Sequence, residues 1–161
     1  MNHGFAHVGV STHDMDGTIR FYEQILGFRL VADDRIRVDE GGHFRHVFFD
    51  VGAEQYIAFL EPSSVPGVPS DYDPGINRGL GVPHGMYHYA FKVSSLDELE
   101  ARRKDLESHG VAVSPLVDLG GGQSIYLRDP NDLQLEFHCQ TSPFSDANLH
   151  GETRASVSML S

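Results

Sequence analysis

Two histidines and one glutamate occupy strand positions that face away from their apolar neighbours. His7, His88 and Glu136 each lie in a short apolar segment with the alternation of a strand. Because successive side chains of a strand point to opposite faces, the apolar residues of each segment face a helix, and these three face the other, concave side. Two neutral imidazoles and one carboxylate can bind a divalent ion and leave other positions open. That set suits Fe(II), and also Mn(II), Zn(II) or Ni(II).

An internal repeat places these three residues at related points. When His7 is set on His88, strand falls on strand and helix on helix, and the segment at 57–59 falls on the one at 135–137 that contains Glu136. Any one of the three alone is more often an ordinary surface or hydrogen-bonded residue. Both halves predict an α+β fold of two βαβββ modules. The predicted strands are 5–10, 29–33, 44–51, 55–60, 87–93, 111–114, 124–128 and 133–139, and the main helices are 17–26 and 96–108.

The segment between the two halves breaks this pattern. Residues 62–85 are rich in proline and glycine, which predicts a loop without helix or central strand, and a loop of this length is usually functional or mobile. We therefore expect a single domain over residues 1–140, with module one at about 3–61 and module two at about 86–140. The polar segment 141–161 is predicted to be a flexible tail or a dimer arm.

Composition excludes several classes of function. The chain of 161 residues has 12 Lys and Arg against 23 Asp and Glu, a net charge of −11, and no basic cluster. This argues against binding to nucleic acid or to an anionic membrane. Apolar runs such as residues 56–60 are too short to span a bilayer. Cys139 is the only cysteine, so no internal disulfide can form, and no secretory signal is visible at the start; we expect a cytoplasmic protein.

The chain resembles the vicinal oxygen chelate superfamily, which includes glyoxalase I, extradiol dioxygenases, and fosfomycin- and bleomycin-resistance proteins. The resemblance covers about residues 3–140 and implies a curved sheet around a metal cup, with His7, His88 and Glu136 as ligands. It also implies a small-molecule substrate that chelates the metal through adjacent oxygens, and a homodimer. The matching segments are His7–Val10, Phe21–Tyr22 with Leu26–Phe28, His88–Phe91, and Tyr126–Pro130 with Leu135–Glu136.

The resemblance also bears on which activity to expect. Where glyoxalase I has a fourth ligand, a glutamate, the overlay places Ala58, which favours the three-ligand members: extradiol dioxygenases and fosfomycin-modifying enzymes. A slipped strand register would instead bring Glu61 in as a fourth ligand. Tyr126 resembles a tyrosine of extradiol dioxygenases that precedes the Asp-Pro turn. Two features depart from that pattern: Asp132 replaces the usual turn glycine, and residues 117–119 contain no histidine.

Four further residues are candidates for the chemistry beside Tyr126. His46 and His84 are candidate proton carriers, since histidine titrates near neutral pH, and Arg128 and His138 are candidate substrate-binding residues. We favour an enzyme, an Fe(II)-dependent extradiol-type ring-cleaving dioxygenase. The alternatives are a glyoxalase-like lyase or isomerase, a fosfomycin-modifying type of enzyme, and a metal-free drug-sequestering protein of the bleomycin-resistance kind.

Overall fold

The computed structural model describes residues 1–151 and 156. In this part of the chain, eight strands form two four-stranded sheets, called sheet A and sheet B. Sheet A contains β1 (His7–Ser11), β2 (Arg29–Arg37), β3 (His43–Gly52) and β4 (Gln55–Ser63), and sheet B contains β5 (His88–Lys92), β6 (Val117–Asp118), β7 (Gly122–Arg128) and β8 (Gln134–Gln140). The helices are α1 (Met15–Ile19), which continues as a π-helical segment (Arg20–Ile25), α2 (Ile76–Leu80), α3 (Leu96–Ser108) and a 3-10 helix (Asp146–His150).

The two sheets have the same topology, which confirms the predicted α+β fold of two βαβββ modules. Sheet A has the strand order β1-β4-β3-β2, and sheet B has the matching order β5-β8-β7-β6. In both, the first strand pairs parallel with the last. Ala58 lies opposite Gly9 in sheet A as Glu136 lies opposite Ala90 in sheet B. The overlay of Ala58 on Glu136 is therefore correct in register.

Polar side chains at the helix starts explain why the helices begin where they do. The Asp14 carboxylate accepts a hydrogen bond from the Gly17 amide at 2.8 Å ahead of α1. The Ser95 hydroxyl accepts one from the Glu98 amide at 3.1 Å ahead of α3. Each bond satisfies an amide that has no partner within its own helix. After the first helix, Gly27 turns the chain in the left-handed region with φ of +72°.

The prediction that residues 62–85 form a loop without helix or central strand was wrong in two places. β4 extends through Pro62, which is tolerated there because β1 pairs with β4 only as far as Leu60, so that β4 is an edge strand beyond it. Helix α2 forms between Gly75 and Gly81, where Asn77 is fully buried. Proline and glycine limit this helix to five residues rather than preventing it.

Two other element predictions needed correction. The strand predicted over 111–114 is reduced to an isolated bridge between Val113 and Leu127, and the edge strand β6 lies further on at residues 117–118. Proline at 115 separates the two, and it has no amide to donate to a sheet. The tail predicted to be irregular contains the 3-10 helix after five residues without regular structure, and its positions 152–155 and 157–161 lie outside the described residues.

The helix-facing sides of both sheets pack into one core. Tyr22 stacks on Phe49 of sheet A at a centroid distance of 5.3 Å. Phe28, just after the same helix, packs against Phe91 and Phe137 of sheet B at 4.9 and 6.4 Å. The other face of each sheet is turned away from this core, and we call it the outward face.

A buried polar network also joins the two modules. The Tyr22 hydroxyl donates to Oδ2 of Asp129 at 3.1 Å, and the amides of Asn131 and Leu133 donate to Oδ1 at 2.8 Å. The Thr12 hydroxyl donates to the Asn131 side chain at 2.6 Å. Burial raises the pKa of the Asp129 carboxyl, an effect its hydrogen-bond donors partly oppose. Separately, none of the helices over the described residues is long and apolar enough to cross a membrane.

Candidate metal centre

His88 and Glu136 lie side by side on the outward face of sheet B. The edge strand β5 presents His88, and its neighbour β8 presents Glu136. Nε2 of His88 is 3.1 Å from Oε2 of Glu136, and their side chains are 38% and 6% exposed. A nearly buried carboxylate beside a more accessible imidazole gives a site that is open on one side.

The orientation of His88 is fixed by the loop before β5. Nδ1 of His88 is 2.8 Å from the Gly85 carbonyl oxygen, which can only accept, so Nδ1 carries the hydrogen and donates. In the neutral imidazole this leaves the lone pair on Nε2, the atom that faces Glu136.

This pair fits a metal ion. Oε2 of Glu136 and Nε2 of His88, the two atoms that would bind the ion, are 3.1 Å apart. Two ligands bound at right angles, with metal–ligand bonds of about 2.1 Å, are about 3.0 Å apart. The separation therefore matches that of two adjacent ligands on one ion.

A chain of polar contacts continues behind Glu136. The fully buried Ser124 donates its hydroxyl hydrogen to Oε1 of Glu136 at 2.5 Å. Nδ1 of His138 lies 2.8 Å from the Ser124 hydroxyl oxygen and 3.4 Å from Oε1 of Glu136. Nε2 of His138 is 2.9 Å from Oε1 of Gln140, whose amide donates to the Ser142 carbonyl at 2.6 Å. His138 therefore contacts the rear of Glu136, and its predicted contact with a substrate stays a prediction.

Tyr126 lies on the same face, directly opposite Glu136 in the pairing of β7 with β8. Burial raises the pKa of the Tyr126 hydroxyl, and the neighbouring Glu136 charge adds to the rise. The structure thus brings together Tyr126, His88 and Glu136, as expected from strand alternation.

Arg128, the other predicted substrate contact, is exposed at the end of the same strand and faces a turn. Its guanidinium is 3.3 Å from the carboxylate of Asp132, which also pairs with Arg78 near the end of α2 at 2.8 Å. Asp132 retains the left-handed conformation with φ of +62° that a turn glycine would adopt. Asp132, which stands where the family has glycine, therefore links Arg78 of α2 to the Asp-Pro turn.

His7 lies on the outward face of sheet A among aromatic residues. Its ring packs edge-on against Phe48 at 5.4 Å, and His46 packs against the same phenyl ring at 4.4 Å. Tyr56 is directly opposite His7 in the strand pairing. Burial, together with the nearby His7, lowers the pKa of His46, whereas Asp34 opposes the shift. This face is a largely apolar counterpart of the polar face of sheet B.

The structure separates His7 from the other two predicted ligands within the chain. Over residues 1–151 and 156, no three His, Cys, Asp or Glu side chains are arranged to hold a metal ion. The outward face of each sheet is the one turned away from the shared core. Over the same residues, one chain therefore presents two adjacent candidate ligands, and His7 does not join them as a third.

Two remaining candidates have surroundings of their own. Oε1 of Glu61 accepts a hydrogen bond from the Met15 amide at 2.9 Å, so this carboxylate caps α1. His84 is half-buried in the loop before β5, and its buried Nδ1 has no hydrogen-bond partner among the described residues.

Sequence reasoning missed several side chains beside the site. Ser124 and Gln140 support Glu136 from behind, and Phe48 and Tyr56 surround His7. The alternation of side chains along β7 could have identified Ser124, because residues 124, 126 and 128 share one face of that strand. No sequence motif marks Ser124 as a neighbour of Glu136.

Residues 4–137 match the model of a protein family described as the Glyoxalase/Bleomycin resistance protein/Dioxygenase superfamily. The chain belongs to this superfamily. A curated relative, the iron-dependent extradiol dioxygenase of Rhodococcus jostii (strain RHA1), is 24% identical over 175 aligned positions, which cover 97% of this chain and 49% of the relative. The chain therefore spans about half the length of the curated relative it matches.

Solved structures of the superfamily share the fold. A glyoxylase/bleomycin resistance protein/dioxygenase domain from Frankia sp. EAN1pec is 25% identical with a TM-score of 0.62, over 87% of this chain and 99% of that one. The fosfomycin resistance protein FosX of Listeria monocytogenes is 21% identical with a TM-score of 0.59, over 88% and 96%. TnmS3, an antibiotic binding protein from Streptomyces sp. CB03234, is 19% identical with a TM-score of 0.61, over 87% and 98%. One superfamily fold thus occurs in proteins described by different functions.

Proposed function

We propose that this protein is a metal-dependent enzyme acting on a small substrate that chelates the metal through two adjacent oxygens, most specifically an Fe(II)-dependent extradiol-type ring-cleaving dioxygenase. The observation that carries the proposal is the approach of His88 Nε2 to Glu136 Oε2 at 3.1 Å, with the other imidazole nitrogen fixed by a carbonyl. The same 3.1 Å contact is an ion pair when a proton lies between the two atoms, and a bound metal ion would take the place of that proton.

The third ligand in this proposal is His7 of a second copy of the chain. Within the described part of one chain, His7 forms no metal-binding group with His88 and Glu136, and the faces that present them belong to different sheets. Both β1 and β5 are edge strands, so each has one side free for another chain. In a symmetric homodimer, His7 of each copy then completes the site of the other, and two equivalent sites form.

Iron and ring cleavage are favoured over the other chemistries by two observations. Ala58 occupies the position equivalent to Glu136, so sheet A offers no carboxylate for a fourth ligand there, and Glu61 is engaged with α1. The Rhodococcus relative, although only 24% identical, is described as an iron-dependent extradiol dioxygenase. A bound Fe(II) ion would supply Lewis acidity towards the substrate oxygens and a position for dioxygen.

The protein's own residues have distinct roles in this proposal. Tyr126, beside Glu136, donates a hydrogen bond to one substrate oxygen. The pKa of His46 is lowered, so its imidazole stays neutral near pH 7 and accepts a proton from the substrate. His46 lies on the sheet that presents His7, so it approaches the site from the second copy. Phe48 beside it offers an aromatic surface for a planar substrate.

Metal content tests the first half of the proposal. Protein purified without chelator or His-tag is expected to contain about one divalent ion per chain by elemental analysis. His109→Ala removes an exposed imidazole at the end of α3 and should keep the metal, so it is the control for variants that remove a candidate ligand. A protein that neither retains nor takes up a divalent ion would instead fit the metal-free drug-sequestering kind.

Oxygen uptake tests the second half. After anaerobic reconstitution with Fe(II), the protein is expected to consume oxygen with at least one member of a panel of substituted catechols. Protein shown to contain Fe(II) that consumes no oxygen with any catechol would contradict ring cleavage. Glyoxalase-like lyase or isomerase activity and epoxide opening of the fosfomycin-modifying type would then take precedence.

A further inference from the structure

We infer that Ser124, supported by His138, is a positioning residue that presents Glu136 to the metal through one carboxylate oxygen only. The inference rests on the proposed metal site and adds a residue outside the three expected ligands. It concerns the ligand geometry of Glu136 and not the identity of the substrate.

The two oxygens of Glu136 have different partners. Oε2 faces Nε2 of His88 at 3.1 Å, whereas Oε1 accepts the Ser124 hydroxyl at 2.5 Å. The hydrogen bond from the buried Ser124 hydroxyl occupies one lone pair of Oε1 and fixes the orientation of the carboxylate, which makes Oε1 a poorer donor to an ion than Oε2. Ser124 therefore favours a single metal–oxygen bond and leaves one more position for substrate.

Ser124 is itself held from its other side. Its oxygen lies 2.8 Å from Nδ1 of His138, and Gln140 holds the other ring nitrogen at 2.9 Å. Gly122 leaves space for this ring and for the neighbouring strand, because a Cβ there would come 2.6 Å from Nε2 of His138 and 2.5 Å from the Cys139 carbonyl oxygen. The His138 ring, directly behind Glu136, is thus surrounded by Gly122, Ser124 and Gln140 of the adjacent strands β7 and β8. This arrangement matches the supporting hydrogen bonds that commonly orient ligating carboxylates.

Co(II) provides a readout that does not depend on turnover. Ser124→Ala should fold, since it only removes one oxygen, and metal-free protein should then bind Co(II) about ten- to a hundredfold more weakly by titration calorimetry. With Oε1 released, Glu136 binds through both oxygens, the coordination number rises, and the visible d–d absorption of bound Co(II) weakens. Ser124→Thr keeps the hydroxyl and should restore both values towards the wild type.

Two further variants separate positioning from general damage. Gln140→Ala removes the partner of His138 Nε2 without touching a candidate ligand and should shift the Co(II) spectrum in the same direction as Ser124→Ala. Thr18→Val removes a buried hydroxyl that lies 3.0 Å from the Thr12 hydroxyl in the intermodule network, and it should leave the spectrum unchanged. Wild-type affinity and spectrum in Ser124→Ala would overturn the inference, as would an equal change in Thr18→Val. Failure of the wild type to bind Co(II) would remove the metal site, and the inference with it.

Discussion

The two modules repeat one backbone plan but present opposite kinds of surface. In sheet B, the strand pair β5 and β8 brings His88 and Glu136 within 3.1 Å, with Ser124 and His138 behind them. In sheet A, the equivalent pair β1 and β4 presents His7 beside a phenyl ring, and alanine occupies the place of the glutamate. One module therefore carries most of the candidate ligand set, and the other carries one imidazole and an aromatic wall.

The difference shows that equivalent positions need not carry equivalent roles. The backbone repeat provides matching points on both outward faces, and the side chains at those points decide what each face does. In the proposed homodimer, the polar face of one chain meets the aromatic face of the other. Each prediction below changes a residue on one face or at the junction between the modules.

The largest expected effect comes from removing a ligand on sheet B. His88→Ala and Glu136→Ala should each weaken Fe(II) or Co(II) binding by more than about a hundredfold, because only one of two adjacent ligands remains. The fold should survive, since the apolar core is untouched, which circular dichroism can verify. Full metal occupancy in both variants, measured by elemental analysis, would show that the assigned face is the wrong one.

Tyrosine residues on the two faces should respond differently to loss of the hydroxyl. Tyr126→Phe should keep the metal and lower kcat with a catechol by about ten- to a thousandfold, the effect of losing one polar contact at a reacting centre. Tyr56→Phe, the matched change on sheet A, keeps its ring and should alter kcat by less than about threefold. Equal losses in the two variants, measured by oxygen uptake at saturating substrate, would contradict the division of roles.

The junction between the modules should depend on Asp129. Asp129→Ala leaves the Tyr22 hydroxyl and two buried amides without their acceptor, and should lower the free energy of unfolding by about 3 kcal/mol in urea titrations. A loss below about 1 kcal/mol would mean that the network contributes little to joining the modules.

The pH dependence of Asp129→Asn provides a separate check on the same residue. Burial raises the pKa of Asp129 above its usual value of 3.8, so the folded protein binds this proton more tightly than the unfolded chain does. Wild-type stability from this group therefore falls as pH rises from about 4 to the raised pKa, and the asparagine variant lacks that fall. Over this interval the unfolding free energy of the wild type should fall relative to that of Asp129→Asn. At higher pH the difference between the two should stay constant.

Introducing the missing carboxylate on sheet A should have a smaller effect. Ala58 is fully buried and lies opposite Phe48 in the strand pairing, so Ala58→Glu should lower the free energy of unfolding by about 2 kcal/mol. Ala58→Gln has the same shape without the charge and should lose less. If added divalent metal restored the stability of Ala58→Glu alone, sheet A would be able to supply a fourth ligand, and a glyoxalase-like site would regain support.

The fold was predictable because its signals are periodic and occur twice. Strand alternation in the segments around His7 and His88, with a helix after each, predicted the modules and the faces. Helix α2 was missed because its proline- and glycine-rich surroundings dominate the composition, although the buried Asn77 side chain anchors it through two hydrogen bonds to the Tyr87 backbone. Tertiary burial of this kind leaves no local pattern in a sequence.

The candidate site was predictable only in part, for a related reason. Parity and the repeat predicted that His88, Glu136 and Tyr126 share a face, which the structure bears out in their positions. Ser124 has no motif, and only the pairing of β7 with β8 brings it to Glu136. The separation of His7 depends on how the modules pack around Tyr22, which no spacing along the chain encodes.

Mixing two defective chains tests the central claim that each site combines His7 of one copy with His88 and Glu136 of another. His7→Ala and Glu136→Ala proteins should each bind almost no metal alone. After unfolding and refolding together in equal amounts, half of the dimers are mixed and each mixed dimer has one intact site, so metal content should recover to about a quarter of the wild-type value. Recovery near a quarter is the predicted result. No recovery in a mixture shown to contain mixed dimers would contradict the shared site.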